Sequence, residues 1–235
     1  MYKNYIFDFY GTLADIRTNE ENPYLWQKMS EIYCAMGAKY NPQQLQNTFR
    51  ELESKEKGLE ENAEPDLTKV FSMLYQEKKF QCDATLAKMT AITFRALSRE
   101  YIRVYDGVKE FLEELRQREK GVYLLSNAQS DFTRPEIEML GLTKYFDGIF
   151  ISSEQGCKKP SIRFFSKLLE QYGLEAKESI MIGNDEDADI AGAKSVGMAT
   201  LYIHTAISPA EYGKIKADYR VMDGDFKKIR GLIAP

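Results

Sequence analysis

Short apolar runs of strand length occur once at the beginning of this chain, vanish between Glu20 and Tyr101, and then return in regular alternation with helical segments. The first, Tyr5-Ile6-Phe7, stops at Asp8, and Gly11 and Thr12 follow at once. It reads as a buried strand that ends in a carboxylate and a turn. After Tyr105 the runs are Val122–Leu125, Ile149–Ile151, Ile180–Ile182 and Thr200–Ile203. Helical stretches at 107–119, around Pro135, at 161–172 and at 188–195 separate them. Alternation of this kind predicts an α/β fold, a doubly wound parallel sheet with helices on both faces.

The interruption has a helical period. Four helices are expected there. The first spans Pro23–Met36 with Leu25, Met29, Ile32 and Tyr33 on its apolar face, and the second spans Pro42–Lys57 with Leu45, Phe49 and Leu52. The third and fourth start at the N-caps Asp66 and Asp83, with stripes Val70-Phe71-Leu74-Tyr75 and Leu86-Met89-Ile92-Phe94-Leu97. Residues 1–15 and 104–235 are therefore expected to form the core, and 16–103 an inserted helical bundle. Trp26 is expected in the bundle core, and the Glu- and Lys-rich stretch 51–64 in solvent.

Composition narrows the chemistry. Of 235 residues, 32 are Lys or Arg and 36 Asp or Glu, a formal net charge of -4 that argues against a general nucleic-acid binder. The only histidine is His204. A Ser-His-Asp triad would have to use it, and a multi-histidine zinc site cannot be built; a structural role is expected for it. Cys34, Cys82 and Cys157 are odd in number, far apart and in no CxxC pair, as expected of free thiols in a reducing cytoplasm. No signal-peptide pattern is visible, and no run reaches the ~18 apolar residues of a membrane span, so a cytoplasmic protein without a membrane partner is expected.

Ligands of open α/β sheets bind outside the carboxyl ends of the strands. Four strand ends here carry polar residues: Asp8; Ser126-Asn127; Lys158-Lys159-Pro160; and Gly183-Asn184-Asp185-Glu186-Asp187-Ala188-Asp189. Asp8 is an oxygen nucleophile on a rigid strand end. Asp185 and Asp189, four apart around a helix start, can face one cleft. Carboxylates gathered around Asp8 repel each other unless a cation lies among them, and Mg²⁺ suits hard oxygens and a substrate phosphate. Ser126, the amide after it and Lys159 can hold phosphate oxygens.

In these motifs the chain resembles the haloacid dehalogenase superfamily of hydrolases. They are Asp8-Phe9-Tyr10-Gly11-Thr12-Leu13, Ser126-Asn127, Lys159-Pro160 with Phe164 or Phe165 after it, and Gly183-Asn184-Asp185 to Asp189-Ile190-Ala191-Gly192-Ala193, closing at Gly197-Met198. The resemblance implies a core with strand order 5-4-1-2-3 and a helical cap between the first two motifs. It implies a phosphatase acting on a small phosphorylated metabolite, with Asp8 as nucleophile forming an aspartyl-enzyme intermediate. Ser126 and Lys159 would bind phosphate and balance charge, with Tyr10, Gly11, Thr12 and Asn127 lining the substrate. Mg²⁺ would be held by Asp8, the Tyr10 carbonyl and Asp185, with Asp189 as ligand or behind the ligands.

Two positions depart from the pattern. Family phosphatases carry a second Asp two residues after the nucleophile, as general acid and base; here it is Tyr10. A tyrosine there is similar to the 2-haloacid dehalogenases, which attack carbon without a metal and carry an arginine shortly afterwards, for which Arg17 is the candidate. Asn184 stands where many members have Asp. The acids of the fourth motif favour a metal and a phosphorylated substrate. Dehalogenation through Asp8, or a weakly catalytic member that binds a phosphorylated ligand, are the alternatives. Asp15, or a residue of the bundle, is the candidate replacement for the missing acid-base group.

Overall fold

A computed structural model describes residues 2–209 and 216–233. Its main sheet is built from β1 (Asn4–Phe7), β4 (Gly121–Ser126), β5 (Gly148–Ile151), β6 (Ser179–Gly183), β7 (Ala199–Ile203) and β8 (Tyr219–Val221). Their order is β5-β4-β1-β6-β7-β8, and every neighbouring pair is parallel. In sheet-strand count this is the expected 5-4-1-2-3 order read from the other edge, with β8 added beyond β7. The strand Tyr219–Val221 is too short and polar to have been visible as an apolar run.

Period-two alternation distributes the strands' side chains between two layers. Tyr5, Phe7, Ile180 and Ile182 pack with Phe111, Leu112 and Leu115 of α5 (Val108–Gln117) and with Phe226 and Ile229 of α10 (Phe226–Ile233). Ile6, Leu125 and Met181 face the other way, onto Phe164, Phe165 and Leu168 of α8 (Ile162–Tyr172) and Ala193 of the short α9 (Gly192–Ser195). Two further helices follow strand ends: α6 (Ser130–Met139) after β4 and the one-turn α7 (Ser152–Gln155) after β5. The stretch after β6 is a π-helical turn, Glu186–Ala191, that runs into α9.

Between β1 and β4 the chain forms α1 (Pro23–Ala35), α2 (Pro42–Lys57), α3 (Leu67–Glu77) and α4 (Ala84–Ser98). Asn22, Asn41, Asp66 and Asp83 cap their N-termini through side-chain oxygens, satisfying amides that helical geometry leaves without partners. Trp26 is buried against Phe49 and Phe94, as its sequence position suggested. The expected stripe of α4 is rotated: Met89 is 55% exposed, while Ala87, Thr90, Ala91 and Phe94 face inward. Small side chains at 87 and 91 let α4 lie close to its neighbours, so the helix turns its alanines rather than its methionine to the core.

An antiparallel ribbon brackets these helices: β2 (Ala14–Thr18) pairs with β3 (Arg99–Val104), Asp15 opposite Arg103 and Ile16 opposite Ile102. No strand was expected before Val122 other than the first. The ribbon is half-solvated and lacks an apolar run, so nothing in its hydrophobic pattern announces it.

Candidate active site

The carboxyl ends of β1, β4 and β6 meet at one buried ammonium. Lys159 is 3% exposed, and its Nζ donates to Asp8 Oδ1 (2.6 Å), Asp189 Oδ1 (2.7 Å) and the Leu125 carbonyl (2.8 Å). Three donors thus meet three oxygens, the full capacity of an ammonium. Desolvation alone would favour the neutral amine, but Asp189 and Asp8 outweigh it and hold the Lys159 pKa above its usual value. Burial pushes the Asp189 carboxyl up to about 7, against the pull of Lys159.

The lysine is aimed by its own backbone. Lys159 N donates to Asn127 Oδ1 (2.8 Å), and Asn127 Nδ2 donates to the Lys159 carbonyl (2.9 Å). This reciprocal pair ties the loop after β4 to the loop after β5. Asp8 Oδ2 accepts from Thr12 Oγ1 (3.1 Å), which also lies 3.3 Å from Asn184 Oδ1. Two glycines make the close approaches possible. Gly11 has φ +86, and a Cβ there would stand 2.3 Å from Asn184 Nδ2. A Cβ on Gly183 would stand 2.2 Å from Asp189 Oδ2.

Ser126, at the end of β4, is 1% exposed, and its Oγ has no hydrogen-bond partner. A buried hydroxyl without a partner is costly and uncommon, and each instance calls for a ligand or a functional reason. Asp8, Thr12, Asn127, Lys159, Asn184 and Asp189 thus form one hydrogen-bonded cluster, and Ser126 lies at the end of β4, next to Leu125, whose carbonyl accepts from Lys159.

Tyr10 points elsewhere. Its hydroxyl donates to Glu136 Oε2 (2.5 Å) and lies 3.0 Å from Thr133 Oγ1, both on α6. Glu136 is 2% exposed and also receives Arg95 Nε (2.8 Å) and Nη2 (3.3 Å) from α4, and Arg99 Nη1 (2.8 Å) from β3. Burial, with the Glu136 charge added, raises the Tyr10 phenol well above its usual range, so it keeps its proton. Asp15 does not stand in for the missing acid: it is buried in the ribbon, bonded to Arg103 Nε (2.9 Å) and Tyr101 Oη (3.3 Å). Arg17 is exposed and paired with Glu100, away from the site. His204 closes the gap between β7 and β8 through its amide to the Val221 carbonyl (2.8 Å) and its ring to Tyr202 Oη (3.3 Å).

The helical insert reaches the same place. Gln129, two residues beyond Asn127, donates from Nε2 to Glu64 Oε1 (3.0 Å) and the Pro65 carbonyl (2.9 Å), and its Oε1 accepts from Leu67 N (2.9 Å). Lys158 N donates to the Asn62 carbonyl (3.0 Å). The end of the charged 51–64 stretch is thus docked on the core rather than solvated. Between insert and core lies a cavity of about 300 Å³, with Tyr10, Asn127, Gln129, Glu20, Glu53 and Arg95 in its wall. Gln129, Glu136, Arg95 and Arg99 were not found from the sequence. Their partners are 37 to 65 positions away, and no local pattern marks them.

Few oxygens at these strand ends are left uncommitted for Mg²⁺. Asp189 spends both oxygens, one on Lys159 and the other on the Asp185 amide (3.0 Å). Asp185 Oδ1 caps the turn by accepting from Asp187 N (2.9 Å) and Ala188 N (2.8 Å). Among the described residues no three His, Cys, Asp or Glu side chains are spaced to hold a metal ion. Mg²⁺ asks for less than that, since it commonly binds through one or two carboxylates and keeps waters and a phosphate oxygen. Asp8, the Tyr10 carbonyl and Asp185 are hard oxygen donors of the fitting kind, and Asp189 is outside the set.

A six-stranded parallel sheet with a helical insert after its first strand, and an aspartate-lysine-aspartate cluster at the strand ends, define a doubly wound α/β protein with its polar site at the carboxyl ends of the strands. The family model of the haloacid dehalogenase-like hydrolases matches residues 2–197, and the chain belongs to that family. Among curated relatives, the ribulose-1,5-bisphosphate 5-phosphatase of Halopiger xanaduensis is 35% identical over 43% of this chain and 43% of its own length. The chain spans 43% to 66% of the length of the first curated relatives it matches. Two solved structures share the fold. A HAD phosphatase from Thermococcus onnurineus has TM-score 0.63 at 20% identity, covering 99% of this chain and 98% of that one. A 2-haloacid dehalogenase from Pseudomonas syringae pv. Tomato has TM-score 0.65 at 19% identity, covering 94% of each. Among the described residues no helix is long and apolar enough to cross a membrane.

Proposed function

We propose that this hydrolase is a phosphomonoesterase, with Asp8 as nucleophile and residues 16–103 as a cap over the site. The observation that carries the reading is the partnerless Ser126 hydroxyl, buried at the end of β4, the strand beside the one that carries Asp8. A hydroxyl donor next to a lysine that faces the nucleophile is what a tetrahedral oxyanion needs. The curated phosphatase relatives support the same chemistry.

An Asp8 oxygen attacks phosphorus, the bond to the leaving oxygen breaks, and an aspartyl phosphate forms. Water then attacks phosphorus and the bond to Asp8 breaks, returning the carboxylate and releasing inorganic phosphate. Lys159 balances the charge on Asp8 and orients it, Asp189 holds Lys159, and Thr12 fixes the second Asp8 oxygen. Asn127 keeps Lys159 aimed, and Gly11 gives the loop its close approach to Asn184. Bound at Asp8, the Tyr10 carbonyl and Asp185, Mg²⁺ would neutralise charge between an anionic nucleophile and an anionic phosphoryl group.

Tyr10 keeps its proton and directs it to Glu136 in a hydrogen bond, so the leaving oxygen would take its proton from water. Loss of positioned acid-base help is worth about 10²–10⁴-fold, which makes alkyl phosphates slow and aryl phosphates with acidic leaving groups fast.

A second reading rests on Tyr10 alone: carbon-halogen hydrolysis through Asp8. One screen separates the two. Phosphomonoesters and 2-haloacids are incubated with the protein and with Asp8→Asn, following phosphate or halide release. Asp8-dependent phosphate release is expected; halide release without phosphate release would overturn the phosphatase reading.

A further inference from the structure

Glu136 stands outside the hydrogen-bonded cluster of Asp8 and Lys159, yet it is a buried charge that three parts of the molecule share. It lies on α6 of the core. Arg95 and Arg99 reach it from α4 and β3, and the Tyr10 hydroxyl reaches it from the loop after β1.

Tyr10 belongs to a tight turn that starts at the nucleophile. The Phe9 carbonyl accepts from Thr12 N (3.3 Å), Leu13 N (2.8 Å) and Ala14 N (3.0 Å), and Gly11 N donates to the Ala14 carbonyl (2.8 Å). The same turn carries Thr12, whose hydroxyl fixes Asp8 Oδ2. The Tyr10 phenol ties this turn to α6, at Glu136 and Thr133. Beyond Glu136, the Arg95 guanidinium lies 5.3 Å from the centre of the Tyr10 ring and 5.5 Å from that of Phe132. Burial works against the Arg95 charge, but Glu136 and Tyr10 outweigh it and hold the Arg95 pKa above its usual value.

The chemistry of this joint makes it conditional. A carboxylate so deeply buried stays an anion only with cations beside it. Were the insert to lift, Arg95 would leave with it, and Glu136 would take up water or a proton. Either weakens its hold on the Tyr10 hydroxyl, because an ionised, desolvated carboxylate is the stronger acceptor.

Resting on the phosphatase reading above, we propose that Glu136 is a positioning residue for the reaction: with Arg95 of the seated insert beside it, it holds Tyr10 and so fixes the turn that presents Asp8 and Thr12. Attack by Asp8 is thereby confined to the state in which the insert is docked.

The test separates positioning from stability. Arg95→Met/Glu136→Leu replaces the ion pair by apolar side chains, which commonly preserves stability, but leaves Tyr10 without its acceptor. Tyr10→Phe removes the hydroxyl alone, keeps the ion pairs, and carries the test if the double variant does not fold. The chain's one tryptophan, Trp26, packs on Phe94 beside Arg95, so its emission reports a folded insert. Full chains are assayed with para-nitrophenyl phosphate and Mg²⁺. In Tyr10→Phe and in the double variant kcat is expected to fall about tenfold or more, as for one hydrogen bond to a charged group, with KM changed by less than about threefold. The triple variant should fall no further than either. Wild-type kcat in a folded variant would overturn the role, and so would losses that multiply in the triple variant.

A second readout needs no turnover. Hydrogen exchange followed by mass spectrometry should show the amides of residues 8–14 exchanging faster in both variants than in wild type, with those of α8 unchanged. Unchanged exchange across 8–14 would overturn the proposal. Turnover that survives Asp8→Asn would overturn the phosphatase reading instead, and the exchange result would stand without it.

Discussion

Replacing Ser126 with alanine should make this protein more stable and less active at once. The Ser126 hydroxyl is 1% exposed and has no hydrogen-bond partner. Burying a hydroxyl without a partner costs about 1–3 kcal/mol. Ser126→Ala removes that cost and leaves only a small void. The backbone of β4, paired with β5 through Ser126 and Ile151, is untouched. A net gain of about 1–2 kcal/mol follows, which for a chain of this size raises Tm by about 2–8 °C. Loss of one hydrogen bond to a charged phosphate oxygen is worth about 1.5–3 kcal/mol, or about 10- to 150-fold in kcat/KM.

Ser152→Ala is the control. Ser152 is fully buried, but its Oγ accepts from Ala128 N (2.8 Å) and donates to the Ala128 carbonyl (3.1 Å). Its loss should destabilise by about 1–2 kcal/mol. Urea and thermal unfolding give the two stabilities, phosphate release gives the activity, and added inorganic phosphate should raise Tm less in Ser126→Ala than in wild type. If Ser126→Ala is destabilised like Ser152→Ala, the hydroxyl is satisfied within the fold and is not held for a ligand. Unchanged turnover with raised Tm would equally refute its role.

Other consequences are open to measurement. Glu136→Gln leaves buried Arg95 facing a neutral amide and should cost about 3–5 kcal/mol, whereas combining Glu136→Leu with Arg95→Met should recover most of it; a double-mutant cycle by urea unfolding reads the coupling, and additivity would contradict the network. Burial works to raise Glu154, but Arg134 and Ser130 outweigh it and hold the carboxyl below its usual value of about 4.3. The folded state then binds that proton less tightly than the unfolded one. The pair's contribution, at most about 1 kcal/mol for a half-exposed pair, is complete above pH ~4.3 and disappears as pH falls through the lower folded value. The gap in urea midpoint between wild type and Glu154→Gln should close over that range. Gly11→Ala should cost stability and turnover well beyond Gly156→Ala: both have positive φ, but only at Gly11 does a Cβ strike a neighbour, Asn184, so equal Tm losses would remove the close-approach argument.

What the residues alone revealed follows physical range. β1, β4, β5, β6 and β7 were legible because buried parallel strands are continuous apolar runs, and the helices of the insert because their stripes repeat within a turn. The ribbon and β8 were not, since they earn no apolar pattern from half-solvated positions. In the site, Asp8, Ser126 and Lys159 stood out because strand ends concentrate them. The Tyr10–Glu136–Arg95–Arg99 cluster was hidden because it joins four elements brought together only by the packing of insert on core. The meaning of Tyr10 was hidden with it: in the sequence it is a missing acid, and in the fold it is a donor to Glu136.

Helix α6 bears on how this family could exchange its inserts. It contributes Phe132 to the aromatic cluster of the helical insert, stacked 6.3 Å from Phe94, and Glu136 to the arginines of α4 and β3. An insert transplanted from another member would find an orphaned ring and an uncompensated buried charge waiting on the host. Grafting is therefore not a matter of matching two splice points. It requires rewriting α6 at 132 and 136 together with the insert, so the heritable unit of specificity is the helical insert plus one helix of the core.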